Sequence, residues 1–147
     1  MADETSSRTM LFESLVVCDD IRFESNGKLL FLGVYSDIVQ VVKLPLQMRS
    51  LALAIKARAV GSGRFAFSVV VTDPQGNGLL DANGELNYEG ESGRTVWLPV
   101  VMGPALLTTE GTYAVRITLA EGAPVNESFI VRKTPAAEVQ FTQPRPN

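Results

Sequence analysis

Apolar and polar residues alternate along much of the chain with a period of two. This is the pattern of β-strands whose alternate side chains face a core. The clearest run spans 51–59, where apolar residues at the odd positions are separated by Lys56 and Arg58. Similar alternation recurs at 65–72, 80–88 and 113–119, and no segment of comparable length has the spacing of an amphipathic helix. The pattern therefore predicts an all-β protein.

Turn sequences separate these runs. Asn26-Gly27 is a favoured pair for a two-residue type I′ hairpin turn, because both central residues of that turn need a positive φ. Asp73-Pro74-Gln75-Gly76 has the residues of a second hairpin turn. Short strands at this spacing predict an antiparallel two-sheet sandwich of about 7–9 strands.

The length of 147 residues suits one domain. We expect the sandwich domain to span 10–133. Residues 1–9 and the Pro-containing segment 134–147 have no alternation, so they are predicted to be flexible tails.

Two positions interrupt the alternation. Asp19 falls on the apolar face of the first strand, and a carboxylate is not buried without a partner. Either a bulge at 18–20 turns Asp19 outward, or a buried Asp19 accepts hydrogen bonds from backbone N–H groups or an arginine. Pro99 has no N–H to donate, so its strand is predicted to be an edge strand or to be bulged there.

The segment 107–113 resembles the tyrosine corner of immunoglobulin-like sandwiches. In that motif Tyr113 would hydrogen-bond to backbone a few residues upstream, and Gly111 would allow the close approach. There is no Cys…Trp…Cys set, so an antibody-type domain is excluded. Together with 18–22, 26–28 and 32–35, this segment is similar to a family of short, stand-alone bacterial proteins without an assigned function. The resemblance implies an immunoglobulin-like β-sandwich and supplies no functional residues.

Net charge, the N-terminal sequence and cysteine content limit the binding partners and the cellular compartment that we expect. The net charge is −3, and the thirteen Lys and Arg residues are spread along the chain, so nucleic acid is not an expected partner. The N-terminus is polar and acidic, unlike a signal peptide, and no apolar run is long enough to span a membrane. The single cysteine, Cys18, cannot form an intramolecular disulfide. These features predict a cytoplasmic protein without a membrane partner.

Catalytic motifs are scarce. The chain has no histidine, which excludes Ser-His-Asp and Cys-His catalysis as usually built and histidine-ligated metals. Asp19, Asp20 and Asp37 remain as candidates, because they could converge at one end of the sandwich and hold Ca²⁺ or Mg²⁺. That arrangement would support a carboxylate-dependent, possibly metal-assisted hydrolase. We nevertheless predict a non-enzyme with no cofactor and no resident metal.

The leading hypothesis is a small binding or assembly module that acts through protein–protein contacts. Segment 29–35 is apolar on both faces, whereas only one face of a sandwich strand meets the core. The second face is expected to contact another copy, as in a homodimer, or another protein, unless the C-terminal segment covers it. Tyr35 and Trp97 are candidate partner contacts, although each could instead fill the core. A structural part of a larger machine is a further alternative.

Overall fold

The computed structural model describes residues 8–134 and 144–146, which form eleven strands and no helix. The predicted tails, 1–9 and 134–147, lie mostly outside the described residues. The strands are β1 (Thr9–Phe23), β2 (Leu29–Tyr35), β3 (Ile38–Val41), β4 (Leu46–Met48), β5 (Leu51–Val60), β6 (Gly63–Thr72), β7 (Gly78–Tyr88), β8 (Arg94–Met102), β9 (Ala105–Leu107), β10 (Gly111–Leu119) and β11 (Val125–Lys133). The all-β prediction is confirmed. No helix able to cross a membrane is found in the described part of the chain.

The strands form three sheets. The four-stranded sheet has the order β2-β1-β5-β8, the five-stranded sheet has the order β3-β11-β10-β6-β7, and β4 pairs with β9. The prediction of antiparallel pairing is wrong for β3, which runs parallel to β11. More strands form than predicted because β4 and β9 have three residues each, too few to produce a detectable alternation.

One apolar core lies between the two larger sheets. The odd-numbered residues of β5 are fully buried there, together with Phe65 of β6 and Val115 of β10. The alternation found in the sequence is therefore confirmed for these strands. Val39 and Val41 of β3 are also buried in this core, whereas Val42 beside them is exposed.

A second apolar cluster covers the opposite face of the four-stranded sheet. Its buried members are Cys18, Ile21, Ala52 and Ala54, and Val16, Leu29, Phe31 and Trp97 pack around them. The even-numbered alanines of β5 are fully buried as a result. β5 is thus apolar on both faces. One face packs in the main core, and residues of the β1–β2 hairpin cover the other face.

The β1–β2 hairpin ends in a three-residue loop, so the predicted two-residue type I′ turn is wrong. The Glu24 N–H donates to the Lys28 carbonyl at 2.9 Å, and the Gly27 N–H donates to the Glu24 carbonyl at 3.1 Å. Gly27 has a φ of 82°, whereas Asn26 is not among the positive-φ residues. This is a type I turn followed by a left-handed residue. Because the loop has three residues instead of two, Phe23 pairs directly with Leu29 across the hairpin.

The second predicted hairpin is confirmed and joins β6 to β7. The Gly76 N–H donates to the Asp73 carbonyl at 3.0 Å, and Gly76 has a φ of 86°. The Asp73 Oδ1 accepts the N–H groups of Gln75 and Asn77 at 2.9 and 2.8 Å. The aspartate therefore fixes the loop by the local side-chain bonding that favours this residue in turns.

Pro99 lies on β8, an edge strand of the four-stranded sheet. Its register with β5 is continuous from the pair Leu51–Met102 to the pair Ala59–Arg94, so no bulge occurs along this pairing. The edge-strand alternative for Pro99 is confirmed. A proline is tolerated at an edge because its missing N–H interrupts no ladder on the outer side.

The tyrosine corner is present at the start of β10. The Tyr113 hydroxyl donates to the Thr109 carbonyl at 2.9 Å, and the Tyr113 ring stacks on Phe129 with centroids 5.3 Å apart. Gly111 has a φ of 133°, and a Cβ there would lie 2.8 Å from Pro74 Cγ. Both the phenol and the glycine therefore have the positions expected from the sequence.

Replacing Tyr113 with phenylalanine should lower the free energy of unfolding by about 1 kcal/mol, the usual net value of one hydrogen bond. The buried ring and its stacking on Phe129 are kept, so the change isolates the hydroxyl. Urea denaturation measures the difference. An unchanged denaturation midpoint would show that the corner hydrogen bond does not contribute to stability.

Candidate binding site at the edges of the four-stranded sheet

Asp19 lies on β1 opposite Gly33 of β2. The register is the same on both sides of this position, since Cys18 pairs with Val34 and Asp20 pairs with Leu32. The predicted bulge at 18–20 is therefore wrong, and the irregularity of β1 lies between Phe12 and Ser14 instead.

The Asp19 carboxylate is half-buried and accepts a hydrogen bond from the Tyr35 hydroxyl. The Ser50 hydroxyl donates to the Asp19 carbonyl at 2.6 Å. Asp19 is thus paired, as the second alternative required, but its partner is a phenol rather than a backbone N–H or an arginine. The tyrosine and the serine together fix the end of the β1–β2 hairpin next to the main core.

Gly33 allows this arrangement. It has a φ of 65°, and a Cβ at this position would overlap Asp19 Oδ2 and lie 2.8 Å from its Cγ. Tyr35 packs against the main core, whereas Phe31 packs in the second cluster. Strict alternation would place residues 31 and 35 on the same face, so the strand changes its facing direction at Gly33.

Burial raises the pKa of the Tyr35 phenol above its ordinary value of 10.0, and the hydrogen bond to Asp19 adds to the shift. The folded state therefore holds this proton more tightly than the unfolded state. The stabilisation is fully present below about pH 10 and is lost as the pH rises through the higher folded pKa. We expect the denaturation midpoint of the wild type to fall more steeply above about pH 10 than that of Tyr35→Phe. Parallel slopes for the two proteins would contradict the raised pKa.

The three acids considered for metal binding do not form a metal site. Asp20 Oδ1 accepts the Ile21 N–H at 2.9 Å, and its Oδ2 accepts from Arg22 Nε at 3.1 Å. Asp37 is exposed. Across residues 8–134 and 144–146, no group of three or more histidine, cysteine, aspartate or glutamate side chains could hold a metal ion.

Trp97 borders an open groove of about 760 Å³ on the β8 side of the sheet. Its ring meets the Phe31 ring edge-on, with centroids 5.1 Å apart and an angle of 73°. The Lys56 ammonium lies 6.0 Å from the indole centroid. The groove is lined by Phe23, Gly27, Lys28, Leu29, Phe31, Leu86, Thr95, Val96, Trp97 and Pro99. The wall of this groove is therefore mainly apolar and partly aromatic.

The opposite edge of the sheet is β2, which has three exposed apolar side chains. Leu30, Leu32 and Val34 are 46%, 37% and 59% exposed. The exposed Leu30 and Leu32 agree with the prediction of a second apolar face on segment 29–35, whereas Val34 lies beyond the facing change at Gly33 and is not on that face. The C-terminal segment, the alternative covering, lies mostly outside the described residues. Tyr35, in contrast, makes its contacts within its own chain, and its role as a partner contact stays a prediction.

Sequence reasoning missed Gly33 and the groove residues Phe31 and Lys28. A glycine inside the apolar run 29–35 was a usable signal, because a strand interior disfavours glycine unless another group approaches closely. The groove had no such signal. It depends on how the hairpin tip lies relative to β8, which is far from it in sequence.

A family model, described as a family of unknown function (DUF6941), matches residues 13–132. The chain belongs to this family. The match runs from β1 to β11 and so includes both edges of the four-stranded sheet. A search of curated proteins found no match.

Solved structures with a similar fold are distant in sequence. The β-glucosidase EmGH1 of Erythrobacter marinus is 10% identical with a TM-score of 0.50, over 85% of this chain and 16% of the enzyme. A Listeria innocua β-glucosidase in complex with isofagomine is 9% identical with a TM-score of 0.45, over 85% and 16%. The DNA glycosylase AlkC of Pseudomonas fluorescens is 10% identical with a TM-score of 0.43, over 84% and 30%. The chain thus spans less than a third of each protein. The likeness to EmGH1 concerns the fold alone, and the other two likenesses carry no argument.

Proposed function

We propose that this protein is a small, non-catalytic assembly module that acts through protein–protein contacts and that its first partner is a second copy of itself. The proposed fold type is an immunoglobulin-like sandwich, supported by the corner at Tyr113 and by the core shared between the two larger sheets. We also propose a bacterial, cytoplasmic protein. The free, buried Cys18 fits a reducing compartment.

The observation that carries the proposal is the edge strand β2. Its seven residues, Leu29–Tyr35, include no charged residue and no proline. Sheet edges of monomeric proteins usually have such residues, because an unprotected edge pairs readily with another strand. Three side chains of β2 are also exposed and apolar. An edge with no partner strand among residues 8–134 and 144–146, next to exposed apolar side chains, is typical of an interface.

A second copy can satisfy this edge by symmetric pairing. If the two β2 strands run antiparallel about a two-fold axis at Leu32, Leu32 of one copy lies opposite Leu32 of the other. The two exposed Leu32 side chains then meet on the face that also carries Leu30. The two four-stranded sheets become one continuous sheet, and a closed two-fold dimer is the commonest solution for soluble oligomers.

The hydrolase alternative has weaker support. A carboxylate-dependent reaction needs acids that can reach a substrate in a shared cleft. Asp19 is engaged by Tyr35, and Asp20 is engaged by Arg22. None of these acids lines the groove beside Trp97.

A cysteine at the symmetry axis tests the pairing directly. Residues directly opposite in an antiparallel pair have Cα atoms about 4.5–5.5 Å apart, which suits a disulfide. Leu32→Cys should therefore form a covalent dimer under mild oxidation, seen on a non-reducing gel. Leu106→Cys is the matched control, because Leu106 is an exposed leucine on β9 of the separate small sheet. Equal cross-linking of the two variants, or none for Leu32→Cys, would contradict the proposal.

A further inference from the structure

The groove on the other edge of the sheet has the features of a ligand site. It lies beside β8, the last strand of the order β2-β1-β5-β8, so the backbone groups on the outer side of β8 have no partner strand among the described residues. Phe23, Phe31 and Trp97 contribute aromatic surface to the same space. An extended segment placed there could pair with backbone and bury an apolar side chain.

Pro99 limits where such a segment can pair. It has no N–H, and the unbroken pairing of β8 with β5 indicates that this missing donor faces the outer side. Pairing is therefore favoured along 94–98, beside the Trp97 ring. This stretch is long enough for a peptide of about five to seven residues, at about 3.3 Å per residue.

The charged residues in and near the groove indicate which charge on a ligand would be favoured. Among the described residues that line the groove, Lys28 alone is charged. Lys28 lies in the hairpin tip and is exposed. The Lys56 ammonium adds positive charge near the Trp97 ring, although Glu13 lies 3.6 Å from it. A carboxylate on the ligand would be attracted to this end of the groove.

We propose that this groove binds an extended peptide segment that has an apolar side chain packed against Trp97 and a carboxylate near Lys28. The site includes Leu29 and Phe31 of β2 but none of the exposed residues Leu30, Leu32 and Val34, so it does not depend on self-association. It gives the module a binding surface for a second protein. Aromatic anchors such as Trp97 are the residues that commonly dominate binding energy at protein interfaces.

Tryptophan fluorescence can test the site because Trp97 is the only tryptophan of the chain. The probe is a synthetic seven-residue peptide of alternating valine and threonine with a central phenylalanine and a terminal glutamate. Titration should shift the emission of Trp97 to shorter wavelength in a saturable way. The same peptide with a terminal lysine should bind at least tenfold more weakly.

Charge reversal separates this site from other surfaces. Lys28→Glu should reverse the preference between the two peptides, whereas Lys43→Glu, at another exposed lysine, should leave it unchanged. Leu32→Lys should bind the glutamate peptide as the wild type does, so failure of the dimer would not affect this result. No change in emission with either peptide up to about 1 mM would overturn the proposal. An emission shift that follows protein concentration without peptide would assign the groove to a second copy and would also overturn it.

Discussion

Replacing Gly33 with alanine is expected to lower the free energy of unfolding by about 3 kcal/mol. Two costs add at this position. A non-glycine residue at positive φ costs about 1 kcal/mol. The new Cβ would also overlap Asp19 Oδ2, so the carboxylate must move and its hydrogen bond with Tyr35 is lost. Hydrogen bonds to charged groups contribute about 1.5–3 kcal/mol.

Gly27→Ala is the matched control for backbone strain. Gly27 also has a positive φ, of 82°, but a Cβ there would meet nothing within 4 Å. Its expected cost is about 1 kcal/mol, from the φ alone. Urea denaturation of both variants measures the difference between them. Equal losses for Gly33→Ala and Gly27→Ala would show that the Asp19 contact does not constrain β2.

Phe129→Ala is expected to lower the free energy of unfolding by about 3–5 kcal/mol, the usual range for deleting a buried aromatic ring. Phe129 is fully buried on β11 and stacks on Tyr113, so its removal leaves a cavity beside the tyrosine corner. Phe23→Ala removes the same ring from the hairpin, where it is 69% exposed. That variant should stay within about 0.5 kcal/mol of the wild type.

Thermal or urea denaturation of these two variants distinguishes the main core from the exposed hairpin tip. A small effect of Phe129→Ala would mean that the two larger sheets do not share one packed core. A large effect of Phe23→Ala would mean that its ring is covered, for example by another molecule on the groove.

Side-chain alternation predicted most of the strands because each buried face repeats every two residues. In β5, β6 and β10 the alternating residues are those that fill the core. Alternation could not reveal that Phe31 and Tyr35 separate into two clusters, since one positive-φ glycine between them changes the facing direction of the strand. Loop length was also misjudged at Asn26-Gly27, because a favoured dipeptide occurs in both two-residue and three-residue hairpin loops.

The two candidate surfaces differed in how far the sequence could predict them. The exposed apolar side chains of β2 follow from local sequence, because a strand that is apolar on both faces cannot bury both in one core. The groove beside Trp97 joins residues 23–31 to 95–99, and its shape depends on tertiary packing. A paired Asp19 was one of two alternatives, the other being a bulge at 18–20, and the Tyr35 hydroxyl sixteen residues away was not identified as its partner.

Light scattering on a sized column tests the assembly proposal most directly. Wild-type protein should show a mass that rises with concentration from 15.9 kDa toward twice that value. Leu32→Lys places a charge on the β2 edge and should hold the mass at 15.9 kDa, with an unchanged denaturation midpoint showing that it is folded. A wild-type mass of 15.9 kDa over the whole concentration range would contradict self-association through β2.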